Sequence, residues 1–583
     1  NDLLRNDYGG TGFITGGRRQ ISRWLYEALI QNLPYDELAR QLIAPATDES
    51  RGFIDGIRWR GDVSAGQTVE IQFAQSLGQS FLGINLKCAS CHDSFIDRWK
   101  LDEAYGLAAI YAEKPLEIHR CDKAVGRQAS AAWLFPELGQ IDPQAPRDER
   151  LKQLAGLMTH PQNGRFTRTL VNRLWHRLMG RGIVHPLDAM QTPPWDADLL
   201  DFLATDFQKH GFDIKHTLEL IATSQLYRSA AVPLTQEAAQ NPNATVAGPR
   251  AKRLTAEQFM DAVWQLTGTA PTGMDAPVFR GKVDPKIKLP TLTAEWIWGD
   301  SAAAGHAPPA GERLIFVTTL DLPAAVQSGG AILTCDNECQ LYLNGRFVIS
   351  STNWENILSV PLHNHLQKGS NQIAVIGVNA GKGPNPAGLF FEAHLTLEDG
   401  TKQVIRSGAD WKQAPRTTAG KEGRLGALPK KLNPVTLVRP VGAWTRVLDQ
   451  RGPTLLAHGD AAASRPIRAS LLKSDFLTRS LGRPNRDQIV SMRPEEITTL
   501  EAIDLSNTRE LADALQLGSE KLCQSHSDSR ELVRWLFLQL LARDPTPAEL
   551  ATALEVLGPQ PQPAPTADLL WALLMQPEFL YVR

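Results

Sequence analysis

The chain has 583 residues, of which 42% are hydrophobic and 21% are charged, and its formal net charge is −2. This composition is ordinary for folded globular domains, and the small net charge excludes a general attraction to nucleic acid or to anionic membranes. At about 150 residues per domain, the length predicts about four structural units. No apolar run reaches the ~20 residues that a membrane-spanning helix needs. Six cysteines in this length exclude a small disulfide scaffold.

Residues 1–150 are predicted to form helices joined by long loops. Apolar residues recur at a helical period within residues 21–33 and again within residues 101–113. Residues 151–285 show the helical pattern most clearly. There the helix ending at Gly180 and Gly182, and the helix that begins after Thr255, have recognisable end signals. We expect these regions to form a helical body.

Residues 286–420 carry a different pattern, with short apolar strands separated by turn residues. Asn344-Gly345 lies between two such strands and predicts a tight hairpin, so the region is predicted to be an antiparallel β-sandwich. Helical periodicity returns in residues 421–583, where Thr546, Pro547 and Glu549 match a capping box. The predicted fold class is therefore multidomain α+β, with a mainly helical body and an inserted antiparallel β-sandwich of the jelly-roll type.

The most specific chemical pattern is Cys88-Ala-Ser-Cys91-His92. Two thiols at this spacing can form thioethers with the vinyl groups of a haem, and the following imidazole can ligate the iron. At the frequencies of Cys and His in this chain, the pattern arises by chance in about one of 700 such sequences. We therefore predict a c-type haem attached through Cys88 and Cys91, with His92 as the proximal ligand of the haem iron.

Two other interpretations of these cysteines stay open. In one, Cys88, Cys91, His119 and Cys121 form a zinc site of three thiolates and one imidazole. In the other, the cysteines form a disulfide or stay free, and His92 is a surface residue. The distal haem ligand is also open, and the candidates are His119, Met158, His160, His176, Met179 and His185. Because His176 lies one helical turn from Asn172, we expect that pair to form a solvated polar face.

Residues 79–112 resemble the planctomycete cytochrome c-like domain, which has a C-x-x-C-H-[DN] core followed by a Tyr-Gly-Leu-Ala-Ala helix. This chain matches that pattern at Asp93, Phe95 and Asp97 and at residues 105–109. Many members have a second histidine where this chain has Ser94, so any role of that histidine is not carried over. The resemblance implies export, covalent haem and bacterial polysaccharide catabolism.

The helical regions resemble the domain of unknown function that usually accompanies this cytochrome-like domain. The resemblance depends on Val171, Asn172, Arg173 and Trp175, followed by residues 180–182. Residues 493–507 and the C-terminal residues from 541 resemble its second half. We therefore expect a cytochrome c-like domain at 1–150, helical halves at 151–285 and 421–583, and the sandwich at 286–420.

The β-rich insert resembles the galactose-binding-like jelly roll that accompanies rhamnosidases and other glycoside hydrolases. That resemblance implies either a structural spacer or a carbohydrate-binding module. Trp296, Trp298 and Trp354 are candidates for stacking on a sugar ring, and core packing is the alternative role for each. The segment Cys335-Asp-Asn-Glu-Cys339 is a candidate for a local disulfide, and the oxygens of Asp336, Asn337 and Glu338 are candidates for a calcium site.

We therefore expect an extracytoplasmic, for example periplasmic, c-type haem protein with an electron-transfer or oxidoreductase role in carbohydrate catabolism. Its expected partners are a carbohydrate or polysaccharide and a redox protein, with no nucleic acid and no transmembrane segment. The chain begins without Met or a signal-peptide pattern, so we expect a fragment of a longer protein. The alternatives are a carbohydrate-binding or scaffold protein with a structural zinc site, and a hydrolase. No hydrolase motif such as G-x-S-x-G or H-E-x-x-H is present.

Overall fold

The chain divides into a helical unit and a β-sandwich unit. The structure is a computed structural model that describes residues 1–6, 20–57, 63–232, 245–271, 278, 286–363, 365–415, 424–463 and 467–582. The helical unit comprises Asn1–Thr269 and Arg468–Arg583, and the sandwich unit comprises Ala270–Ile467. The predicted fold class, a helical body with an inserted antiparallel sandwich, is therefore confirmed.

The α-helices follow one another along both units. They are α1 Ser22–Ile30, α2 Tyr35–Ile43, α3 Val69–Leu82, α4 Leu101–Tyr111, α5 Arg147–Met158, α6 Gly164–Met179, α7 Ala197–Lys209, α8 Ile214–Ala222, α9 Ala256–Thr267, α10 Gly442–Ala463, α11 Phe476–Ser480, α12 Thr499–Asn507, α13 Arg509–Ser525, α14 Ser529–Leu541, α15 Pro547–Leu557, α16 Pro563–Leu574 and α17 Pro577–Leu580. None of these helices is long and apolar enough to cross a membrane.

The strands lie mainly in the sandwich unit. They are β1 Leu116–Arg120, β2 Lys123–Ala129, β3 Lys252–Arg253, β4 Ile297–Trp298, β5 Arg313–Leu322, β6 Val326–Asp336, β7 Glu338–Leu343, β8 Arg346–Ser351, β9 Leu358–Pro361, β10 Gly369–Val378, β11 Gly388–Leu397, β12 Lys402–Arg406, β13 Lys412–Pro415, β14 Asn433–Pro434, β15 Thr436–Leu437 and β16 Tyr581–Val582.

Local end signals place several helices where the sequence predicts them. Helix α6 stops because Gly180 adopts a positive φ of 78°, a conformation that glycine takes without steric cost. Helix α9 begins after Thr255, whose side chain accepts a hydrogen bond from the Gln258 amide. Thr546 and Glu549 form the capping box that starts α15. The predictions of these helix ends are confirmed.

Two apolar cores stabilise the helical unit. Helices α1–α8 share the first core, in which the rings of Tyr35 and Phe166 stack with centroids 4.9 Å apart. The second core combines α9, which precedes the sandwich in sequence, with helices that follow it. Phe259 of α9 is buried together with Leu532 and Leu574. The second core therefore forms only from chain segments on both sides of the insert.

The face that was predicted to be solvated is buried at Asn172 and only partly exposed at His176, so the prediction of a solvated polar face is wrong. The Asn172 side chain is fully buried and bonds both the N–H and the carbonyl of Val184, at 2.9 Å each. Burial and nearby cations lower the pKa of His176 to about 4. Arg173 donates hydrogen bonds to the backbone of α3 and to Asp188. These residues therefore hold the fold together, because a polar side chain that bonds buried backbone groups replaces their lost water contacts.

A buried cluster of charges joins the first residues of the helical unit to its later segments. Arg493 donates hydrogen bonds to Asp2 and Glu257, and Arg486 donates to Asp2 at 2.8 Å. Arg483 also lies within 3.3 Å of Glu257. Burial alone raises the pKa of Asp2, but the two arginines lower it to about 2. The neighbouring arginines also lower the pKa of Glu257, so both carboxylates of the cluster are ionised near neutral pH.

The sandwich unit consists of two antiparallel sheets packed around one core. The first sheet has the strand order β14-β13-β5-β10-β7-β8. The second has the order β15-β4-β11-β6-β9, with β12 paired to β11. The predicted Asn344-Gly345 turn joins β7 and β8, and both turn residues have positive φ, at 50° and 75°. The predictions of the hairpin and of the sandwich are therefore confirmed.

The observed limits of the sandwich unit differ from the predicted range of 286–420. The unit extends to Ile467 because α10 packs on β6 and β9, where Trp444 and Leu448 share a core with Trp296 and Phe390. The helical pattern of residues 442–463 therefore belongs to the sandwich unit. The predicted end at residue 420 lies outside the described residues.

Candidate functional site

The C-x-x-C-H pattern forms one compact turn after α3. The N–H groups of Cys91 and His92 both donate to the carbonyl of Cys88, at 3.1 Å each. Ser90 points inward, where its hydroxyl donates to the Leu86 carbonyl at 2.7 Å and accepts from the Gln75 side chain at 2.9 Å. Ser90 is buried, whereas Cys88 and Cys91 are partly exposed, and both cysteines are free thiols.

The His92 ring is oriented by its neighbours and is partly exposed. Its Nδ1 lies 2.7 Å from the carbonyl oxygen of Asp93, and its ring lies 4.5 Å from that of Phe95. A carbonyl oxygen can only accept a hydrogen bond, so Nδ1 carries the proton in the neutral imidazole and Nε2 has the free lone pair. This tautomer is the one that can ligate a metal through Nε2.

The segment after His92 exposes two large apolar side chains. Phe95 is 87% exposed and Ile96 is 78% exposed, whereas Trp99 beside them is buried. Two carboxylates hold this loop. Asp93 accepts from the Leu101 amide at 3.0 Å, and Asp97 accepts from the Trp99 amide at 3.0 Å. The bond from Leu101, together with nearby Lys100, lowers the pKa of Asp93. The loop is therefore ordered, although it presents apolar surface to solvent.

The tip of the β1–β2 hairpin lies on the Cys-His turn. Cys121 occupies the turn with φ of 53°, and its N–H donates to the Cys91 carbonyl at 2.8 Å. The next residue, Asp122, accepts from the Ala65 amide at 3.1 Å. Burial raises the pKa of the Cys91 thiol, and nearby Cys121, Asp122 and Cys88 raise it further. Three cysteines therefore gather within one small region.

Two cavities flank this region. One, of about 280 Å³, is bordered by Cys91, Gly66 and Ser64, and the other, of about 450 Å³, is bordered by His119, Tyr105 and again Ser64. A Cβ atom at Gly66 would lie 3.1 Å from the Cys91 sulfur, closer than most real Cβ contacts. The absence of a side chain at Gly66 therefore keeps the space over this sulfur open.

The alternative zinc set is not assembled in the structure. A metal site needs at least three ligand atoms close together. Among the described residues, no three of Cys88, Cys91, His119 and Cys121 have ligand atoms that all lie within 4.8 Å of one another. The Nδ1 of His119 instead bonds the Glu117 carbonyl at 3.1 Å. Cys121 approaches Cys91 through its backbone, so a tetrahedral site at these four residues requires side chains to move.

The candidates for a distal haem ligand lie in different surroundings. Met158 and Met179 are fully buried in the first helical core. His176 and His185 lie near each other, and burial lowers the pKa of both. His160 instead accepts a hydrogen bond from the Gln162 amide in its own loop. His119 borders the second cavity described above, together with Tyr105 and Ser64.

The candidate aromatic residues of the sandwich are mostly core residues. Trp296 is 6% exposed and stacks on Trp444, with ring centroids 4.7 Å apart. Trp298 is fully buried and donates to the Glu312 carboxylate at 2.7 Å. Neither ring can therefore stack on a sugar, and that prediction is wrong for both. Trp354 is partly exposed and stays a candidate.

Cys335 and Cys339 are both buried, free thiols, so the local disulfide suggested by their spacing is not formed in the structure. They belong to strands of different sheets, β6 and β7. Burial raises the pKa of Cys339 to about 12. The two side chains therefore contribute to the core of the sandwich.

The turn between β6 and β7 contains unpaired buried oxygens. One carboxylate oxygen of Asp336 and the side-chain oxygen of Asn337 are buried without a hydrogen-bond partner. The same holds for the side-chain oxygen of Asn379, which follows β10. Asn337 donates its N–H to the Val378 carbonyl at 2.9 Å, so this turn and the end of β10 are neighbours. Asn379 was not predicted, because it lies far from this turn in sequence.

The other oxygen of Asp336 accepts from the Trp444 indole at 2.8 Å. Burial raises the pKa of Asp336, because a buried carboxylate loses its water contacts. Glu392 differs from this group, since it accepts from two backbone amides and from His394 and is fully paired. Unpaired buried oxygens are costly, and a hard cation such as Ca²⁺ satisfies them.

A curated relative connects the chain with carbohydrate-active proteins. An α-L-rhamnosidase of Streptomyces avermitilis is 25% identical over 171 residues, which cover 28% of this chain and 16% of that protein. Among solved structures, the rhamnosidase of that organism complexed with L-rhamnose has a TM-score of 0.25 at 23% identity, covering 28% of this chain and 17% of the other. A Pleurotus ostreatus lectin in complex with GalNAc has a TM-score of 0.22 at 23% identity, covering 27% and 46%.

Two family models match the helical part of the chain and the first residues of the sandwich unit. Residues 2–115 match PSCyt2, described as a protein of unknown function (DUF1549). Residues 150–307 match PSD1, also described as a protein of unknown function (DUF1553). Neither description names a haem or a reaction, so the cytochrome c-like character of residues 1–150 stays a prediction. The chain thus contains regions that match the PSCyt2 and PSD1 family models, together with a β-sandwich.

Proposed function

We propose that this chain is an extracytoplasmic c-type haem protein that transfers electrons and whose sandwich binds carbohydrate. The observation that supports haem binding is the turn that contains the C-x-x-C-H pattern. In it, Cys88 and Cys91 present free, partly exposed thiols, and His92 presents a free Nε2. Covalent attachment needs both sulfurs and the imidazole on one accessible surface, and this turn provides them.

The surroundings of the turn fit a bound haem. Gly66 leaves open space above the Cys91 sulfur, within a cavity that this sulfur borders. Phe95 and Ile96 are almost fully exposed beside His92, and apolar side chains in that position suit contact with the apolar face of a macrocycle. Haem burial would remove this apolar surface from water, and such burial is favourable at about 25 cal/mol per Å².

Each residue of the turn has a defined role in this proposal. Cys88 and Cys91 hold the macrocycle, and His92 Nε2 ligates the iron. The Asp93 carbonyl fixes the ring orientation of His92 through Nδ1, as outer hydrogen bonds commonly do for metal-binding histidines. A haem held here supplies a one-electron redox centre, which suits exchange with a redox partner protein.

A haem assay on the full chain tests this proposal. The protein is produced with a bacterial haem-attachment system, denatured, and measured as the pyridine haemochrome beside its iron content. We expect about one covalent haem per chain, lost in Cys88→Ser/Cys91→Ser and retained in the matched control Cys523→Ser, which changes a distant free cysteine. A wild type without iron or haemochrome would overturn the proposal, and zinc that is lost in Cys121→Ser would then favour a zinc scaffold.

The second part, carbohydrate binding, depends on the buried oxygens of the sandwich. We propose that Asp336, Asn337 and Asn379 bind Ca²⁺ and that hydroxyl groups of a sugar complete the coordination of the ion. Ca²⁺ prefers carboxylate and amide oxygens, which are the donors left unpaired here. The partly exposed Trp354 is the aromatic side chain available for contact with a sugar. The similarity to an α-L-rhamnosidase supports a carbohydrate as the ligand.

Binding assays with and without calcium test this part separately. We expect the full chain to be retained on an immobilised rhamnose-containing polysaccharide in Ca²⁺ and released by a chelator. Asp336→Asn and Asn379→Ala should lose this retention, whereas the exposed control Asp410→Asn should keep it. Equal retention of all variants, or retention that a chelator does not change, would contradict the proposed calcium site.

A further inference from the structure

A surface cluster of two histidines and one aspartate lies where α7 meets α8, outside both sites described above. Asp206 and His210 are four residues apart at the end of α7, which places them on one helix face. Gly211 and Phe212 both adopt positive φ, at 68° and 57°, and the chain reverses there. The reversal brings His216, from the first turn of α8, against the same face.

The three side chains converge. His216 Nε2 lies 2.9 Å from one Asp206 oxygen, and His210 Nδ1 lies 3.2 Å from the other. The two imidazole rings stack with centroids 3.9 Å apart. The potential ligand atoms of the three residues all lie within 4.8 Å of one another. In the described part of the chain, no other group of three or more His, Cys, Asp or Glu side chains meets that limit.

We propose that Asp206, His210 and His216 bind a divalent transition-metal ion, and that Zn²⁺ is this ion. Two imidazoles and one carboxylate are a ligand set that Zn²⁺ uses when it keeps one position for water. Bonds of about 2.0–2.1 Å in a tetrahedral site separate neighbouring ligand atoms by about 3.3 Å. The observed Asp206–His separations of 2.9 Å and 3.2 Å are close to this spacing. The His210 Nδ1 also lies 2.9 Å from the Asp206 backbone carbonyl, and it must give up that hydrogen bond to bind the ion.

The surroundings favour a cation at this place. The Asp213 carboxylate accepts from the His216 amide at 3.0 Å, so a second negative charge lies near the His216 ring. His210 is 50% exposed and His216 is 34% exposed, so solvent can supply the remaining ligand.

Zinc content after equilibrium dialysis of the full chain tests the proposal. We expect His210→Ala and His216→Ala each to bind one Zn²⁺ fewer than the wild type, and the exposed control His306→Ala to bind the same number. Zn²⁺ should also raise the thermal midpoint of the wild type and of His306→Ala, but not of the two variants. Equal zinc in the wild type and in both variants would overturn the proposal.

The cysteine region is a separate source of bound zinc, and its contribution must be removed. The same dialysis is therefore repeated with Cys121→Ser, alone and combined with His216→Ala. If the cluster binds Zn²⁺, His216→Ala still removes one ion in the Cys121→Ser background. If the loss appears only when Cys121 is intact, the ion belongs to the cysteines and the proposal is wrong. Because His210 is half exposed, its replacement does not threaten folding, which circular dichroism checks.

Discussion

The backbone N–H of Cys121 donates a 2.8 Å hydrogen bond to the carbonyl oxygen of Cys91. This bond joins the β1–β2 hairpin to the Cys-His turn through main-chain atoms, so the Cys121 sulfur is not required for the contact. We therefore predict that Cys121→Ser keeps the hairpin in place and keeps about one covalent haem per chain. Iron analysis and the pyridine haemochrome measure the outcome. Loss of one bound Zn²⁺ per chain in Cys121→Ser, with no haem in the wild type, would instead indicate the zinc interpretation.

The open space over Cys91 predicts a steric effect at Gly66. In Gly66→Val the side chain lies against the Cys91 sulfur, and overpacking of this kind costs about 1–3 kcal/mol. We expect less covalent haem per chain in Gly66→Val than in the wild type, because the valine side chain fills the space over the sulfur that must react with a vinyl group. Gly156→Ala is the control, because nothing lies within 4 Å of the added Cβ in α5. Equal haem content in Gly66→Val and wild type would contradict the proposed haem position.

Trp444 orients Asp336 in the proposed calcium site, so its indole N–H should influence calcium binding. Trp444→Phe leaves the second Asp336 oxygen without its 2.8 Å donor. Loss of such an outer hydrogen bond weakens metal binding by about tenfold or more. Trp411→Phe is the matched control, because it removes another buried indole bond, to the Arg406 carbonyl. Calorimetric titration with Ca²⁺ should separate the two variants, and equal affinities would refute the proposed role of Trp444.

Asn172 connects α6 to the following loop through two backbone bonds, and its loss should destabilise the helical unit. Asn172→Ala leaves the N–H and the carbonyl of Val184 buried without partners. At 1–3 kcal/mol per buried unpaired group, we expect a loss of about 2–5 kcal/mol in the free energy of unfolding. Urea unfolding measures this loss. The exposed Gln516→Ala should stay within about 0.5 kcal/mol of the wild type.

The buried charge cluster predicts both a mutational and a pH effect. Arg493→Ala leaves Asp2 and Glu257 without their main partner, which should cost about 3–5 kcal/mol. The Arg509 side chain is 89% exposed in its ion pair with Asp513, so Arg509→Ala should lower the free energy of unfolding by less than about 1 kcal/mol. Chemical unfolding of both variants near neutral pH measures the difference. A small effect at Arg493 would indicate that Arg483 and Arg486 suffice to balance the two carboxylates.

The pH effect follows from the Asp2 carboxyl group. Its pKa is lowered from 3.8 to about 2 in the folded chain, so its ionised form stabilises the fold above about pH 4. That contribution, about 2 kcal/mol at 1.36 kcal/mol per unit, is lost as the pH falls from about 4 to 2. Unfolding curves across this range should show a loss of stability about 2 kcal/mol larger in the wild type than in Asp2→Asn, in which other carboxyl groups with a lowered pKa, such as Glu257, still contribute.

Local signals were sufficient to predict much of this fold. Glycines and capping boxes mark the helix ends, and Asn344-Gly345 marks the hairpin, because these features act over a few residues. The C-x-x-C-H turn was predictable for the same reason. Burial was not predictable at Asn172 or Trp298, because packing between distant segments decides it. The sequence offers no local sign that Asn379 lies beside the Asp336 turn, since strand pairing creates that neighbourhood.

The proposed metal cluster of Asp206, His210 and His216 was only partly predictable from the sequence. The spacing of Asp206 and His210 on one helix face is visible in the sequence, but this pair alone does not make a metal site. The approach of His216 depends on the reversal at Gly211 and Phe212, which a helical pattern does not predict at a non-glycine residue. The extent of the sandwich unit was missed because α10 has an ordinary helical pattern and its partners are strands.

The second helical core contains segments from both sides of the sandwich, and this has a consequence for synthesis on the ribosome. The apolar face of α9 has its partners in helices that follow Ile467, so it must wait for the whole of Ala270–Ile467 to be translated. At 5–20 residues per second, that interval is about 10–40 s. The sandwich unit has its own core and can fold within this interval. Nascent chains of this protein therefore expose Phe259 and Val263 for many seconds, which makes them natural binding sites for a chaperone.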